Sequence, residues 1–81
     1  MNTTGAAGTA ATVIIGQRIR QGKDQAFEAW QSNMNREAAK YPGFIAAEVN
    51  PPTAVQAEWV IVYRFDSIAN VQAWLRQSAS R

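Results

Sequence analysis

Apolar and polar residues alternate over three short stretches of the chain, and the first lies at residues 12–20. Its sequence, TVIIGQRIR, is rich in β-branched residues, and a period of two is typical of a strand. One face would carry Val13, Ile15, Gln17 and Ile19, and the other Thr12, Ile14, Gly16 and Arg18. Because both faces are partly apolar at the start of the strand, we expect a central strand that is covered on both sides.

Two further stretches predict a pair of antiparallel strands. Residues 44–50 (FIAAEVN) form the first, and Pro51 and Pro52 stop it because proline cannot donate a ladder hydrogen bond. Residues 57–65 (AEWVIVYRF) form the second, with Trp59, Ile61, Tyr63 and Phe65 on one face and Val60, Val62 and Arg64 on the other. The short connection, a loop of about six residues, predicts a hairpin.

Spacings of three and four residues replace the alternation over residues 23–40 and again after Asp66. The first segment carries an apolar stripe at Phe27, Trp30, Met34, Ala38 and Tyr41, which predicts a helix. Tyr41-Pro42-Gly43 would end it, because the residue before proline avoids the helical region. Asp66 or Ser67 would cap a second helix, whose stripe is Ile68, Val71, Trp74 and Leu75.

The predicted order is therefore strand, helix, strand, strand, helix, which indicates an α+β domain of the ferredoxin-like, split βαβ kind. This plan has a fourth strand after its second helix, and residues 76–81 (RQSASR) are too polar and too few to form it. Either the chain is part of a longer protein or a partner supplies the strand, and we favour the first. Residues 1–11 lack an apolar period and should form a flexible tail, which leaves residues 12–81 as the domain.

The composition of the 81 residues narrows the available chemistry. The chain has no cysteine and no histidine, so we expect no disulfide and no metal site. Its eight basic residues are scattered and the net charge is only +2, which disfavours nucleic-acid binding. No stretch resembles a membrane span or a secretory signal, so we expect no membrane contact and take the cytoplasm as the default location. A core this small favours oligomerisation.

Four short motifs, taken together, suggest a family. Gln21-Gly22-Lys23 precede an aromatic-rich helix, Tyr41-Pro42-Gly43-Phe44 follow it, and residues 59–67 (WVIVYRFDS) lead to Ala73-Trp74-Leu75. Over residues 12–78 this arrangement resembles the antibiotic biosynthesis monooxygenase (ABM) superfamily of dimeric α/β barrels. The resemblance implies a ferredoxin-like monomer whose sheet packs against a second sheet, with a pocket between helices and sheet. It implies no single reaction, because such proteins oxidise phenols without a cofactor, degrade haem, isomerise substrates or have no known reaction.

The resemblance also suggests site residues. An asparagine on the first strand of haem-degrading members corresponds to Gln17 here, and a tryptophan at the end of their third strand corresponds to Phe65. Their haem-binding histidine has no counterpart in a chain without histidine, so we expect neither haem degradation nor any other cofactor. In phenol-oxidising members an asparagine, a tryptophan, a tyrosine and an arginine hold the substrate. Similar groups here are Gln17, Trp30, Trp59, Tyr63 and Arg64.

Each candidate has a functional and a purely structural interpretation. The candidate catalytic residues are Gln17 and Tyr63, and the candidate substrate-binding residues are Trp30, Trp59, Phe65 and Arg64. Alternatively, Gln17 reaches solvent at a strand end and Tyr63 finds a local hydrogen-bond partner. Trp30 and Trp74 would then belong to the core, and Arg64 would pair with Glu48 on the neighbouring strand.

Two functions remain open from the sequence. The first is cofactor-independent oxidation of a small phenolic or quinol substrate, held between the helices and Gln17, Tyr63 and Phe65. The second is a non-catalytic dimerisation or small-ligand-binding module of the same fold. A cavity lined by those three residues would favour the enzyme, and solid packing would favour the module. In either case, one apolar face of the sheet would be exposed to solvent in a monomer. We therefore expect a homodimer through Ile14, Val60 and Val62.

Overall fold

The computed structural model describes residues 9–79, with side chains as far as residue 78. It contains β1 (Ala11–Gln17), α1 (Asp24–Ala38), β2 (Phe44–Asn50), β3 (Trp59–Phe65) and α2 (Ile68–Ala79). The predicted order and the ferredoxin-like α+β class are confirmed. Most of the predicted tail, and the end of the predicted domain, lie outside the described residues. Ala11, which was expected in the tail, already belongs to β1.

The three strands form one antiparallel sheet in the order β1-β3-β2. Val13 pairs with Tyr63 across one ladder and Val49 pairs with Ile61 across the other, so the predicted β2–β3 hairpin is confirmed. The prediction of a central β1 is wrong within residues 9–79, because β3 occupies the position between β1 and β2. This is the split βαβ arrangement, in which α1 carries the chain past a place that a later strand fills.

Both helices pack on the same face of the sheet. The inward side chains of β3 are all buried: Trp59, Ile61, Tyr63 and Phe65. They form one core cluster with Phe27, Ala38, Val71 and Trp74 of the helices. We call this the covered face of the sheet. The open face carries Ile14, Val60, Val62 and Arg64, of which Ile14 is 68% exposed.

The inward stripe of α1 differs from the predicted one. Phe27 and Ala38 are buried as expected, but Trp30 is 51% exposed and Gln31 is only 4% exposed. At 100° per residue, Gln31, Met34 and Ala38 lie within about 40° of Phe27, whereas Trp30 lies about 60° to one side. Trp30 therefore borders the helix–sheet contact, and the stripe contains a polar residue that an apolar pattern alone does not identify.

The turn after α1 is joined to the start of α2. Gly43 has a φ of 84°, and the Asp66 backbone N–H donates to its carbonyl oxygen at 2.8 Å. A Cβ at Gly43 would collide with the side chains of Asp66 and Asn70. Both the positive φ and the lack of space therefore require glycine at this position. Ser67 caps α2 as predicted, because its Oγ accepts from the Asn70 backbone N–H at 3.1 Å.

Several element ends differ from the predicted ones. β1 stops at Gln17, α1 stops at Ala38, and β3 begins at Trp59. The β2–β3 connection therefore spans residues 51–58 and is longer than predicted. Its interior is a turn in which the Thr53 Oγ1 accepts from the backbone N–H groups of Val55 and Gln56 at 3.3 and 3.1 Å. In the part of the chain that the structure describes, no helix is long and apolar enough to cross a membrane.

Candidate functional site

A cleft opens between the two helices and the β1–β3 side of the covered face. Its part against the sheet, which we call the sheet compartment, has a volume of about 200 Å³. The adjoining part, the helix compartment, has a volume of about 290 Å³ and is lined from α1, α2 and the turn after α1. Trp30, Met34, Trp74 and Ser78 line both compartments, so we treat them as one cleft.

The two compartments differ in their remaining walls. The sheet compartment adds Ile15, Gln17, Gln31, Ile61, Tyr63 and Leu75. The helix compartment adds Glu37 and Tyr41. Among the described residues that line the two compartments, Glu37 is the one that carries a carboxylate. The Lys40 Nζ lies 3.1 Å from the Glu37 Oε2 in an exposed ion pair. The sheet compartment is thus mainly apolar, with aromatic walls and a few polar groups that could orient a ligand.

The buried polar groups of the sheet compartment form a closed network. The Gln31 Nε2 donates to the Tyr63 hydroxyl oxygen at 2.6 Å and to the Asn35 Oδ1 at 2.9 Å. The Tyr63 hydroxyl in turn donates to the same Asn35 Oδ1 at 2.8 Å. Gln31 and Asn35 are one helical turn apart on α1, so their side chains lie side by side above the β3 tyrosine.

Burial controls the protonation of Tyr63. Its side chain is 2% exposed, and its ring centroid lies 4.5 Å from that of Trp74. Removal from water raises the pKa of the Tyr63 phenol above its ordinary value, and the hydrogen bond from Gln31 offsets this only in part. Tyr63 is consequently a neutral phenol near pH 7, suited to hydrogen bonding and not to accepting a proton.

Three of the six residues proposed from the sequence meet in the cleft. Gln17, Trp30 and Tyr63 all line the sheet compartment, where Gln17 and Trp30 are exposed and Tyr63 is buried. Trp59 and Phe65 lie elsewhere on the covered face. Trp59 packs edge-to-face on Phe27 at a centroid distance of 5.0 Å, and Phe65 stacks on Trp74 at 5.3 Å.

Arg64 lies on the open face, away from the cleft. Its strand position faces Ala46, and Glu48 faces Val62, so Arg64 and Glu48 share the open face diagonally. They are not among the ion pairs of the described residues, which join Arg18 to Glu58 and Lys40 to Glu37. The predicted Arg64–Glu48 pair is therefore not formed within the single chain.

Sequence reasoning missed Gln31, Asn35 and Glu37. Their signal is present but weak: Gln31 lies four residues after Phe27 and three before Met34, which places an amide on an apolar helix face. A buried amide needs partners, so a second amide four residues further on was the clue to a network. Glu37 carries no such signal, because a carboxylate near a helix end is common on solvated faces.

Haem, which the resemblance implies for part of the superfamily, does not fit the donor groups of this cleft. The chain has no histidine and no cysteine, and the Tyr63 hydroxyl keeps its proton and two hydrogen bonds. Met34 lines the cleft, but in cytochromes a methionine ligates haem iron opposite a histidine. Residues 9–79 also contain no group of three or more His, Cys, Asp or Glu side chains that could hold a metal ion.

Comparison with known proteins agrees with this architecture. The family model described as antibiotic biosynthesis monooxygenase matches residues 10–81, whereas no curated protein matches the chain. Among solved structures, the chain is similar to the crystal structure of the haem-degrading protein Rv3592 from Mycobacterium tuberculosis, heme free with cleaved protein. That alignment has a TM-score of 0.77 and 18% identity, and it covers 83% of this chain and 78% of the other.

An identity this low shows a shared fold and nothing about the reaction. The family match is of a different kind, because it extends over nearly the whole chain and includes every described strand and helix. The chain therefore belongs to the antibiotic biosynthesis monooxygenase family.

Proposed function

We propose that this domain is a cofactor-independent monooxygenase that oxidises a small phenolic or quinol ring held in the cleft. The observation that carries the proposal is a compartment with aromatic walls whose buried side ends in hydrogen-bonding groups. Trp30 and Trp74 supply faces on which a ring can stack, and Tyr63 and Gln31 supply polar atoms that can orient its oxygen.

The proposed reaction needs only the substrate and dioxygen. The phenol loses its hydroxyl proton, and the resulting anion delivers electrons to dioxygen, which bonds to a ring carbon and takes the released proton back to form a hydroperoxide. That carbon then loses its hydrogen while the O–O bond breaks and water leaves. One oxygen atom becomes a new ring carbonyl and the other leaves as water, so a phenol is converted to a quinone. The protein contributes orientation and proton transfer.

The cleft residues divide these tasks. Tyr63 positions the ring oxygen, and it can protonate a reacting oxygen only by exchanging its bond to Asn35 for a bond to that oxygen. Gln17 holds the ring from the exposed side of the sheet compartment. Glu37, in the helix compartment, is the group we assign to accept the substrate proton through water, because Tyr63 holds the ring oxygen in the sheet compartment.

Oxygen uptake with defined phenols and quinols tests this proposal. With 1-naphthol, 2-naphthol or a naphthohydroquinone, we expect one quinone for each dioxygen consumed and no hydrogen peroxide, since monooxygenation releases water. Gln17→Leu should lower the rate about tenfold or more, because misplacement of a bound reactant is costly. Gln21→Leu, in the exposed turn after β1, is the matched control and should leave the rate unchanged.

Three outcomes are informative. Peroxide formed in proportion to oxygen would identify an oxidase and overturn the proposed reaction. Oxygen uptake that survives heat denaturation of the protein would identify spontaneous oxidation of the phenol. Binding of these compounds without any oxygen uptake would support the non-catalytic ligand-binding module instead.

We also propose that the domain acts as a homodimer through the open face. Ile14 is 68% exposed and Val60 and Val62 are partly exposed, while both helices cover the opposite face. An apolar sheet face next to a small core is stabilised when a second sheet packs on it. Two copies meeting in this way would form the dimeric α/β barrel that the superfamily resemblance implies.

A further inference from the structure

The Tyr63 network leaves an unequal set of free hydrogen-bonding groups. A tyrosine hydroxyl has one proton to donate and can accept bonds through its oxygen. The Tyr63 proton is directed to the Asn35 Oδ1, and the Tyr63 oxygen accepts from the Gln31 Nε2. The single hydroxyl proton is therefore already in use, while one lone pair of the Tyr63 oxygen is not.

Gln31 shows the same asymmetry. Both of its side-chain bonds use the amide nitrogen Nε2, so the carbonyl oxygen Oε1 stands outside the network. Every buried side-chain nitrogen or oxygen among the described residues has a hydrogen-bond partner. The Oε1 must therefore reach accessible space, and Gln31 lines the sheet compartment. Of the three network residues, Gln31 and Tyr63 line the compartment, and their unused positions are hydrogen-bond acceptors. The Asn35 amide nitrogen is a donor, but Asn35 is not among the lining residues, so the fixed, buried end of the compartment presents acceptors to a ligand.

The other polar groups of the compartment do not counter this bias. Gln17 is exposed and its amide can present either end, and the half-buried Ser78 hydroxyl can rotate. Such groups adapt to a donor or to an acceptor with little difference in affinity. Discrimination between ligands must come from the groups whose orientation is fixed by their neighbours, namely Gln31, Asn35 and Tyr63.

We propose that Gln31 and Asn35 determine ligand specificity, so that the cleft selects aromatic rings carrying an O–H or N–H donor over rings that can only accept. The inference relies on the proposed function only in placing an aromatic ligand in the cleft. A ring that can only accept hydrogen bonds would leave the Gln31 Oε1 facing another oxygen atom or empty space. An acceptor that is buried without a partner is unfavourable. Oxidation of a phenol to a quinone removes its donor, so the same selectivity would favour release of product.

Calorimetric titration of the wild-type chain with matched naphthalenes tests the selectivity directly. The probes are 2-naphthol, which donates, 2-methoxynaphthalene, which only accepts, and 2-fluoronaphthalene, which controls for size. We expect 2-naphthol to bind about tenfold more tightly than either of the others, since one buried hydrogen bond is worth roughly that factor. Equal affinities, or failure of 2-naphthol to bind at all, would overturn the proposal.

Asn35→Ala distinguishes specificity from mere support of the fold. Without Asn35, either the Tyr63 proton is free for the ligand or the Gln31 amide turns to present its nitrogen, and the network gains a donor in both cases. We expect the preference for 2-naphthol to shrink about tenfold, with 2-methoxynaphthalene binding more tightly than to wild type. Equal weakening of both ligands would indicate a structural role and contradict the proposal.

Two further variants complete the design. Gln31→Met keeps the shape of the side chain but removes its Oε1, so the preference should fall without tighter binding of the ether. Asn33→Ala, at an exposed position on the same helix where the side chain accepts from Arg36, should keep the wild-type preference. These titrations measure binding and not oxidation. If the protein consumed no oxygen but kept its preference for donor ligands, the reaction proposed above would be overturned and this inference would stand.

Discussion

The two faces of the sheet are built from adjacent residues of the same strand, yet they have opposite surroundings. On the covered face of β3, Trp59, Ile61, Tyr63 and Phe65 are at most 4% exposed. On the open face, Val60 and Val62 are partly exposed and Arg64 is exposed. The alternation of β3 does not distinguish a face that the chain covers itself from a face that it leaves exposed. Only the positions of the two helices do so.

The comparison assigns different physical tasks to the two faces. The covered face provides the folding free energy of a domain that is small and has no disulfide. The open face contributes little to the single chain and is available for association. Substitutions on β3 and β1 should therefore separate stability from oligomeric state, because neighbouring side chains point to opposite faces.

The largest expected effect is on the covered face. Phe65→Ala removes a ring that is 0% exposed and stacked on Trp74, so it should cost about 3–5 kcal/mol of unfolding free energy. Small domains have only about 5–15 kcal/mol in total, so much of the protein would be unfolded at 37 °C. Urea denaturation followed by circular dichroism, at a protein concentration low enough to exclude association, measures the change.

Arg64→Ala is the matched control, one residue away on the open face. An exposed substitution away from special features should change the unfolding free energy by no more than about 0.5 kcal/mol. If the two variants lose similar stability, the division of β3 into a stabilising face and an available face is wrong.

The second largest effect should appear in association and not in folding. Ile14→Lys places a charge on the open face and should weaken the dimer roughly 100-fold or more, because a buried isoleucine contributes about 1.5–3 kcal/mol in each subunit. Ile68→Lys is the matched control: the residues are 68% and 64% exposed, but Ile68 lies at the start of α2. Sedimentation should show monomers for the first variant and dimers for the second. A wild-type chain that is monomeric at micromolar concentration would contradict the dimer proposal.

The sequence predicted most of the fold because its signals are local. The alternation of β3 identified all four buried side chains, and Ser67 identified the start of α2. The order of strands in the sheet is not local, since any of the three strands could be central without a change in its own pattern. The apolar start of β1 predicted a strand covered on both faces. In the single chain, Ile14 on the open face is 68% exposed, because an exposed face can carry the same apolar residues as a covered one.

The candidate site was predictable only in part. Tyr63 and Gln17 were identified as polar groups on otherwise apolar strand faces, and both line the cleft. Trp59 and Phe65 lie on the same strand face as Tyr63, but the rings of Phe27 and Trp74 fill the space beside them. Which inward residue borders a cavity depends on where helices end and how they tilt, and hydrophobic periodicity carries no information about either.

The smallest effect concerns the polar group within the covered face. The pKa of Tyr63 is raised by burial, so below about pH 10 the phenol is protonated in both the folded and the unfolded chain. Above that pH the unfolded chain releases the proton first, which favours unfolding. Stability should therefore fall as the pH rises through the raised pKa, by at most about 1.4 kcal/mol per pH unit from this group.

Tyr63→Phe removes this pH dependence and tests the assignment. The variant should be less stable than wild type at pH 7, by about 1–3 kcal/mol, because Gln31 and Asn35 lose their shared partner. The difference should narrow above pH 10, since only the wild-type chain loses the Tyr63 contribution there. Urea midpoints between pH 8 and 11 measure it, and Tyr41→Phe is the control because it leaves the Tyr63 network intact. If the difference in stability between wild type and Tyr63→Phe stays constant across this pH range, the Tyr63 phenol is not held neutral by burial in the covered face.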